Sequence, residues 1–435
     1  MANTGLTTVP EPSLITLQII HFHNFITIME NREMYLYDKI MGIYKPYAET
    51  AIRAMIRQEY PNCKVHDRNE VLADIQDRTF IRRTDFDNHK DKTLLPLKSY
   101  LLSVKDFRQT EYTPDNYFTI KFPYNYKKEL GCPKFIKFLK QILPNQPKDI
   151  IRVVEGFASG LVPEMKFEKA YMFVGTKAQN GKSTLFNIIA KVVGKDNIAN
   201  VAIHDLKMER FARAELVDKA FNIYADVDNK SMRELGIIKM IISGDPMMVE
   251  RKGQDPFSYS PRCRLFFSSN QPPIIDEDSN AVYRRFFLID FPVEFRKHDP
   301  FFEDKFEEEY DGIMSLLVRN AAWLFKQRKL RYEQTPEDLR VKWDLKSNPI
   351  SIFMEECLDR KVGGKVEHGK MYHAYLTFCE KEHYTAEMMN TFTKLMKKKK
   401  NQIRRSANEQ HWLEWELRET KDKDKQQEKI IDEEE

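Results

Sequence analysis

The chain has 435 residues, 42% hydrophobic and 31% charged, with a net charge of +4. That composition excludes a disordered or fibrous protein. A charge so close to balance gives no general pull on nucleic acid, so any such surface has to come from local clusters of cations. The five cysteines (Cys63, Cys132, Cys263, Cys357, Cys379) are scattered and lack metal-ligand spacing. No apolar run is long enough for a membrane span or signal peptide. The expectation is a cytoplasmic, intracellular protein with no membrane partner.

Residues 1–160 mix strand and helix. Met34–Asp38 and Met41–Tyr44 alternate around a turn and predict a hairpin. Thr50 precedes the amphipathic Ala51–Arg57 and predicts a capped helix. Pro133–Ile142 places its apolar residues at helical spacing. From about residue 161 to 300, short apolar runs alternate in type: Ala170–Val174, Leu185–Val193, Ala220–Ala225, Leu235–Ser243, Arg264–Ser268 and Phe286–Phe291. Such alternation predicts an α/β domain with a largely parallel sheet. Residues 301–345 read as helical, 346–415 as a compact segment, and 416–435 as a charged tail.

The apolar Tyr171–Val174 runs straight into Gly175-Thr176-Lys177-Ala178-Gln179-Asn180-Gly181-Lys182-Ser183-Thr184, and a helical pattern follows. A strand, a glycine-bearing loop and a helix start form the context of a phosphate-binding loop: backbone N–H groups and the helix dipole favour an anion there. Gly175, Gln179, Asn180, Gly181, Lys182, Ser183 and Thr184 are the expected ATP contacts. Lys182 reaches the β- and γ-phosphates and Ser183 holds Mg²⁺. The loop is one residue longer than the common form, because Thr176 occupies the usual first-glycine place and Gly175 stands one earlier.

The strand candidate Ala220–Ala225 ends in Asp226-Val227-Asp228. Asp226 is assigned to the metal and Asp228 to the attacking water, roles the two could exchange. Asn270 ends a third strand and could bond the γ-phosphate or the lytic water. Arg284 and Arg285 precede a fourth; one of them would stabilise transition-state charge on a neighbouring subunit's ATP, with Arg285 favoured because it abuts the strand.

The order of these motifs, with Ile241-Ile242-Ser243-Gly244-Asp245-Pro246, Val249-Glu250-Arg251-Lys252-Gly253 and Phe266–Pro273 between them, resembles the superfamily-3 DNA helicases of the phage and plasmid primase-helicase type, related to the poxvirus primase-helicase. The resemblance covers about residues 170 to 295. It implies an AAA+-like P-loop NTPase core working as a homo-oligomeric, hexameric ring that draws single-stranded DNA 3′→5′ and opens forked DNA. It implies a mixed α/β N-terminal domain and a C-terminal winged helix, with a primase domain or protein as a possible partner. It also implies that Met247–Tyr259 is a pore hairpin, whose Arg251 and Lys252 would meet the phosphate backbone.

The densest cations are Lys397, Lys398, Lys399 and Lys400, followed by Arg404 and Arg405; in a winged helix these would face DNA. Asp85, Asp87 and His89 could suggest a primase carboxylate pair, but the flanking residues read as loop and not as a buried strand. Two rival readings have other purposes for ATP. A DNA-bound origin-recognition or loading protein would use it to switch assembly state, and a small-molecule phosphotransferase would leave the Ser243–Lys252 block and the arginine pair without a role.

Overall fold

Runs rich in aromatic and β-branched residues build the first sheet. The computed structural model that shows it describes residues 9–418, except 90, 163–166, 176–178, 229–231, 233, 276–279, 297–298, 382–383, 385, 399–402 and 407–408. Among the described residues the chain divides into two compact units. The first runs to Pro336 apart from Gln271–Ile274, and the second takes that excursion and the residues from Glu337 onward.

The first unit opens with a four-stranded sheet in the order Ile43–Pro46, Met34–Asp38, Phe25–Ile28 and Phe80–Ile81. The first two pair antiparallel, as the expected hairpin. Helices Pro12–Phe22, Ala48–Glu59 and Val65–Arg78 bury Ile15, Ile19, Ile52, Ile56, Val71 and Ile75 in a common core with this sheet. Thr50 does not cap the second helix. Ala48 and Glu49 extend it by a half-turn, and the chain enters through Tyr47 at φ +69°. Asp85 and Asp87 lie on a short helix, Arg83–His89, which also takes in Asn88 and His89, where a loop was expected. Each is tied to an arginine, Asp85 to Arg82 and Asp87 to Arg83.

Helices Pro133–Ile142 and Pro147–Leu161 lead to a five-stranded, fully parallel sheet. Its order is Phe286–Asp290, Ala170–Val174, Arg264–Ser269, Phe221–Tyr224 and Ile198–Ala199. Strands covered on both faces read as continuous apolar runs, which is why these segments stood out in the sequence. Every residue of Ala170–Val174 and of Arg264–Ser269 is buried. Met247–Val249 and Phe257–Tyr259 form a separate antiparallel hairpin, and helix Tyr310–Gln327 shares the sheet's core.

The second unit contains helices Pro349–Cys357, His368–Lys381 and Met389–Lys398 with an antiparallel sheet in the order Leu358–Glu367, Glu409–Leu417, Ile403–Ser406. Asn348 caps the first of these helices through the Ile350 N–H. Phe353, Tyr375, Phe392, Met396 and Trp412 fill the core. Among the described residues no helix is long and apolar enough to cross a membrane.

Helix Pro147–Leu161 lies unusually close to the parallel sheet. A β-carbon at Gly156 would come 2.6 Å from Tyr171 Cζ, and one at Gly160 would come 2.1 Å from Phe221 Cε1. Between them Phe157 stacks on Phe266 with ring centroids 4.1 Å apart. A mid-helix glycine ordinarily costs about 1 kcal/mol against alanine, so close approach is what these two supply. Gly160→Ala should therefore lower unfolding stability by about 1–3 kcal/mol through overpacking. Gly236→Ala, with open space around it, should leave the urea midpoint unchanged. Equal midpoints for both variants would refute this packing account.

Candidate nucleotide site and cationic surfaces

Because the central strands run parallel, their C-terminal ends share one rim. Val174 stands beside Ser269 on one side and Asp290 on the other, and Tyr224 stands beside Phe267. The rim thus gathers Gly175, Asn270 and Phe291, with Asp226 two residues past Tyr224. In open parallel sheets this is the edge where ligands bind.

The loop is pinned from several sides. Gly175 N–H donates to Ser269 O (3.3 Å), Phe291 N–H to Val174 O (2.7 Å) and Phe295 N–H to Gln179 O (3.0 Å). The buried Asn180 donates its amide to Gly175 O at 3.3 Å. Gly175 leaves no space for a side chain: a β-carbon would meet Asn180 Nδ2 at 2.3 Å and Phe291 O at 2.8 Å. Gly181 starts helix Lys182–Val193 at φ +86°, a left-handed conformation that favours glycine, and a β-carbon there would strike Ile142 Cγ2 at 2.5 Å. Thr176, Lys177 and Ala178, where the extra residue falls, lie outside the described residues.

Lys182 is only 6% exposed. Its ammonium donates to Gly175 O at 3.1 Å. Burial pushes its pKa down to about 8, against the opposing pull of Asp226 and Asp290. On the first turn of the same helix Ser183 is exposed and Thr184 half-buried. Asp226 is exposed at φ +58°. Val227 after it is buried and donates its N–H to Ser268 O at 2.8 Å, which holds the acid at the end of its strand. Asp228 is exposed, with its backbone carbonyl 3.3 Å from His204 Nε2. Of the two acids, Asp226 is the one whose charge acts on Lys182. Asp290 was not anticipated; its only signal was an acid closing an otherwise apolar strand. Asn270 is exposed at the end of the strand beside the loop.

Arg284 and Arg285 sit at the opposite end of the sheet, just before Phe286 pairs with Ala170. A five-residue strand spans roughly 16 Å, so neither reaches the loop of its own chain. Arg285 is turned inward: it donates to Ser243 Oγ at 3.1 Å and Ala281 O at 2.9 Å, and burial lowers its pKa. Arg284 is 56% exposed, with Glu168 at 3.8 Å. The preference for Arg285 as the outward-acting group therefore runs against the geometry, because its guanidinium is committed within its own chain.

At the tip of the Met247–Tyr259 hairpin Lys252 is exposed. Arg251 instead pairs with Glu33, which is almost fully buried. The expected pair of free cations reduces to one, and Arg251 serves to tie the hairpin to the N-terminal sheet. In the second unit Lys397 is exposed on helix Met389–Lys398, on which Lys398 also lies. Arg404 and Arg405 fall on the strand Ile403–Ser406. Lys399 and Lys400 lie outside the described residues.

Three family profiles match the chain: one described as D5 N terminal like at residues 20–144, a family of unknown function (DUF5906) at 173–285, and one described as Poxvirus D5 protein-like at 345–435. A presumed helicase of Acanthamoeba polyphaga mimivirus is 29% identical over 170 residues, covering 37% of this chain and 17% of that protein. The chain thus spans less than a fifth of the length of that curated relative. The apo structure of the NrS-1 C-terminal region superposes with a TM-score of 0.52 at 11% identity, covering 94% of this chain and 100% of that one, a likeness of fold. Together the matches relate the chain to the D5-type primase-helicases.

Each pKa unit is worth about 1.4 kcal/mol, so keeping the Lys182 charge buried costs on the order of 3 kcal/mol, partly offset by its bond to Gly175. Since the folded pKa lies below the ordinary lysine value, the penalty is full below about pH 8 and fades as pH rises toward 10.5. Lys182→Met should therefore raise stability at pH 7 by about 1–2 kcal/mol, and the gain should vanish at alkaline pH. A loss of stability at pH 7, followed by chemical denaturation, would contradict this.

Proposed function

We propose that the chain, as a relative of the D5-type primase-helicases, is an ATP-dependent DNA helicase motor of the superfamily-3 type. The observation carrying this reading is the rim itself, where a buried ammonium, a helix N-terminus and the Asp226 carboxylate converge behind a loop kept narrow by two glycines. The residues fit a magnesium-bound triphosphate. The cradle admits no β-carbon at Gly175, and a cation both buried and placed at a helix N-terminus is balanced only in part by Asp226 and Asp290.

Bound Mg²⁺ supplies charge neutralisation at the transferred phosphoryl group. The chain's own groups do the rest. Lys182 turns from Gly175 O to the β- and γ-phosphates, and the N–H groups of Lys182, Ser183 and Thr184 line the phosphate chain with Gln179, Asn180 and Gly181. Ser183 and Asp226 would hold the Mg²⁺. Asp228 polarises the attacking water, and Asn270, one residue beyond Ser269, orients it. Because Arg284 lies at the far end of the sheet and is exposed, it acts on the nucleotide of the next subunit, with Glu168 between it and Arg285 at 3.8 Å and 3.5 Å.

On this reading the parallel sheet is an AAA+-like P-loop NTPase core at 161–300, residues 1–160 assemble the ring, and 301–345 form a helical brace. Residues 346–415 act as a winged helix, with Lys397, Lys398, Arg404 and Arg405 as its cations for DNA. Of the charged tail expected at 416–435, Glu416 and Leu417 belong to the strand paired with Leu358–Glu367, and residues 419–435 lie outside the described residues. The ring is a hexamer that draws single-stranded DNA 3′→5′ and opens forks beside a primase domain or protein. Lys252 is the hairpin cation that follows the strand.

Mixing tests the shared site. Lys182→Ala and Arg284→Ala should each lose ATPase activity, the latter by about 10³-fold. Combined in one preparation they should regain part of it, since an intact Lys182 then faces an intact Arg284 across some interfaces. Full activity in Lys182→Ala would sink the reading, and no recovery on mixing would remove the trans role of Arg284.

A further inference from the structure

Between the N-terminal sheet and the Met247–Tyr259 hairpin lies a cleft of about 640 Å³, none of whose lining residues belongs to the nucleotide rim. Its walls carry Lys45, Lys121, Lys219 and Lys252, with the Tyr47 ring at the side. The acids of the same walls are Asp196, Glu215 and Asp218. Asp218 is already engaged by Arg83 Nη2 at 2.9 Å and by the Tyr35 hydroxyl at 2.8 Å. Arg251 reaches the cleft too, but it is neutralised by Glu33. The charges left to face solvent are predominantly positive.

Lys45 and Lys121 both line the cleft. Lys121 lies 4.4 Å from the centroid of the Tyr112 ring and donates to Met41 O. Its pKa is lowered, by burial first and further by the positive charge of Lys45, with Asp38 opposing. Two half-buried ammonium groups that repel each other gain most from an anion placed between them. Tyr47 supplies the second ingredient. It is 78% exposed, its ring has no partner among the described residues, and it holds φ +69°, which a tyrosine rarely adopts. A strained backbone that exposes an aromatic ring beside lysines is the arrangement expected of a stacking platform beside a phosphate track.

We infer that this cleft is a binding track for a single-stranded polynucleotide, with Lys45 and Lys121 on its phosphates, Tyr47 stacked on a base and Lys252 closing the opposite wall. The inference rests on the reading that the chain acts on nucleic acid, and it assigns that role to the N-terminal sheet as well as to the hairpin tip. The strand is recognised through phosphates and a base face, so sequence is not read. The sugar is not selected either, because none of these groups engages the 2′ position.

The test is fluorescence anisotropy of labelled oligo(dT) and oligo(rU) on the full chain, without nucleotide. Lys45→Glu with Lys121→Glu should weaken binding of both by more than about 10-fold and flatten the salt dependence by roughly 0.7 for each phosphate no longer neutralised. Tyr47→Ala should weaken binding by about 10-fold with the salt dependence unchanged. Lys326→Glu, an exposed lysine outside the cleft, should bind as the parent does. Binding is read without nucleotide while the parent's ATPase reports the nucleotide site, which separates failure here from failure of that site. Photocrosslinking of the unaltered protein to 4-thiothymidine oligonucleotide should mark the peptide bearing Tyr47, and this arm needs no variant to fold. Parent-like affinity and salt dependence in the double variant would overturn the inference, as would crosslinks confined to residues 389–417 or tighter binding of blunt duplex than of either single strand.

Discussion

A cation held out of water at the start of a helix governs the arrangement of the first unit. Lys182 meets three unfavourable conditions together: burial, a helix dipole whose positive end lies beside it, and a lone carbonyl, Gly175 O, to receive its hydrogen bond among the described residues. Asp226 and Asp290 relieve this only in part, since the pKa still falls to about 8. A site tuned in this way is short of negative charge, and that shortfall is the basis of the polyphosphate proposed for it. The parallel sheet, the two glycines and helix Pro133–Ile142, whose Ile142 packs against Gly181, hold that junction in place.

A second set of charges links the hairpin and the N-terminal sheet within the same unit. Arg83, 2% exposed, joins Asp87 at 3.1 Å and Asp218 at 2.9 Å, and its guanidinium lies 5.4 Å from the Tyr259 ring centroid. Glu33 takes Arg251 from the other end of the hairpin. Removing one partner of a buried pair leaves an uncompensated charge, which is far costlier than the pair is stabilising. The hairpin is therefore anchored at its base and its turn, and the cleft between it and the N-terminal sheet has defined walls.

Much of this was readable from the residues because strands buried on both faces leave long apolar runs. Ala170–Val174, Arg264–Ser268 and Phe286–Phe291 stood out for that reason, and the strands run Ala170–Val174, Arg264–Ser269 and Phe286–Asp290; the helix after Gly181 was legible too. What stayed hidden depended on partners distant in sequence. Glu33 and Arg251 are 218 residues apart, so nothing local showed that one of the two hairpin cations was spent. The inward turn of Arg285 depends on Ser243, and the influence of Asp290 on Lys182 depends on the register of two neighbouring strands. Thr50 resembled a cap because caps are judged from local residue types, whereas the chain enters its helix through a left-handed tyrosine that propensity disfavours. The cleft lysines, Lys45 and Lys121, were invisible for a similar reason: neither belongs to a run of cations, and only the fold brings them together.

Strand separation tests the central claim most directly. The protein is mixed with a forked DNA duplex, ATP and Mg²⁺, and unwinding is followed while the oligomer mass is measured in the same buffer. The account predicts ATP-dependent unwinding by a ring of about six subunits, absent in Lys182→Ala. DNA-stimulated ATP hydrolysis without strand separation by the assembled ring would contradict it and point to a protein that uses ATP to switch its state on DNA.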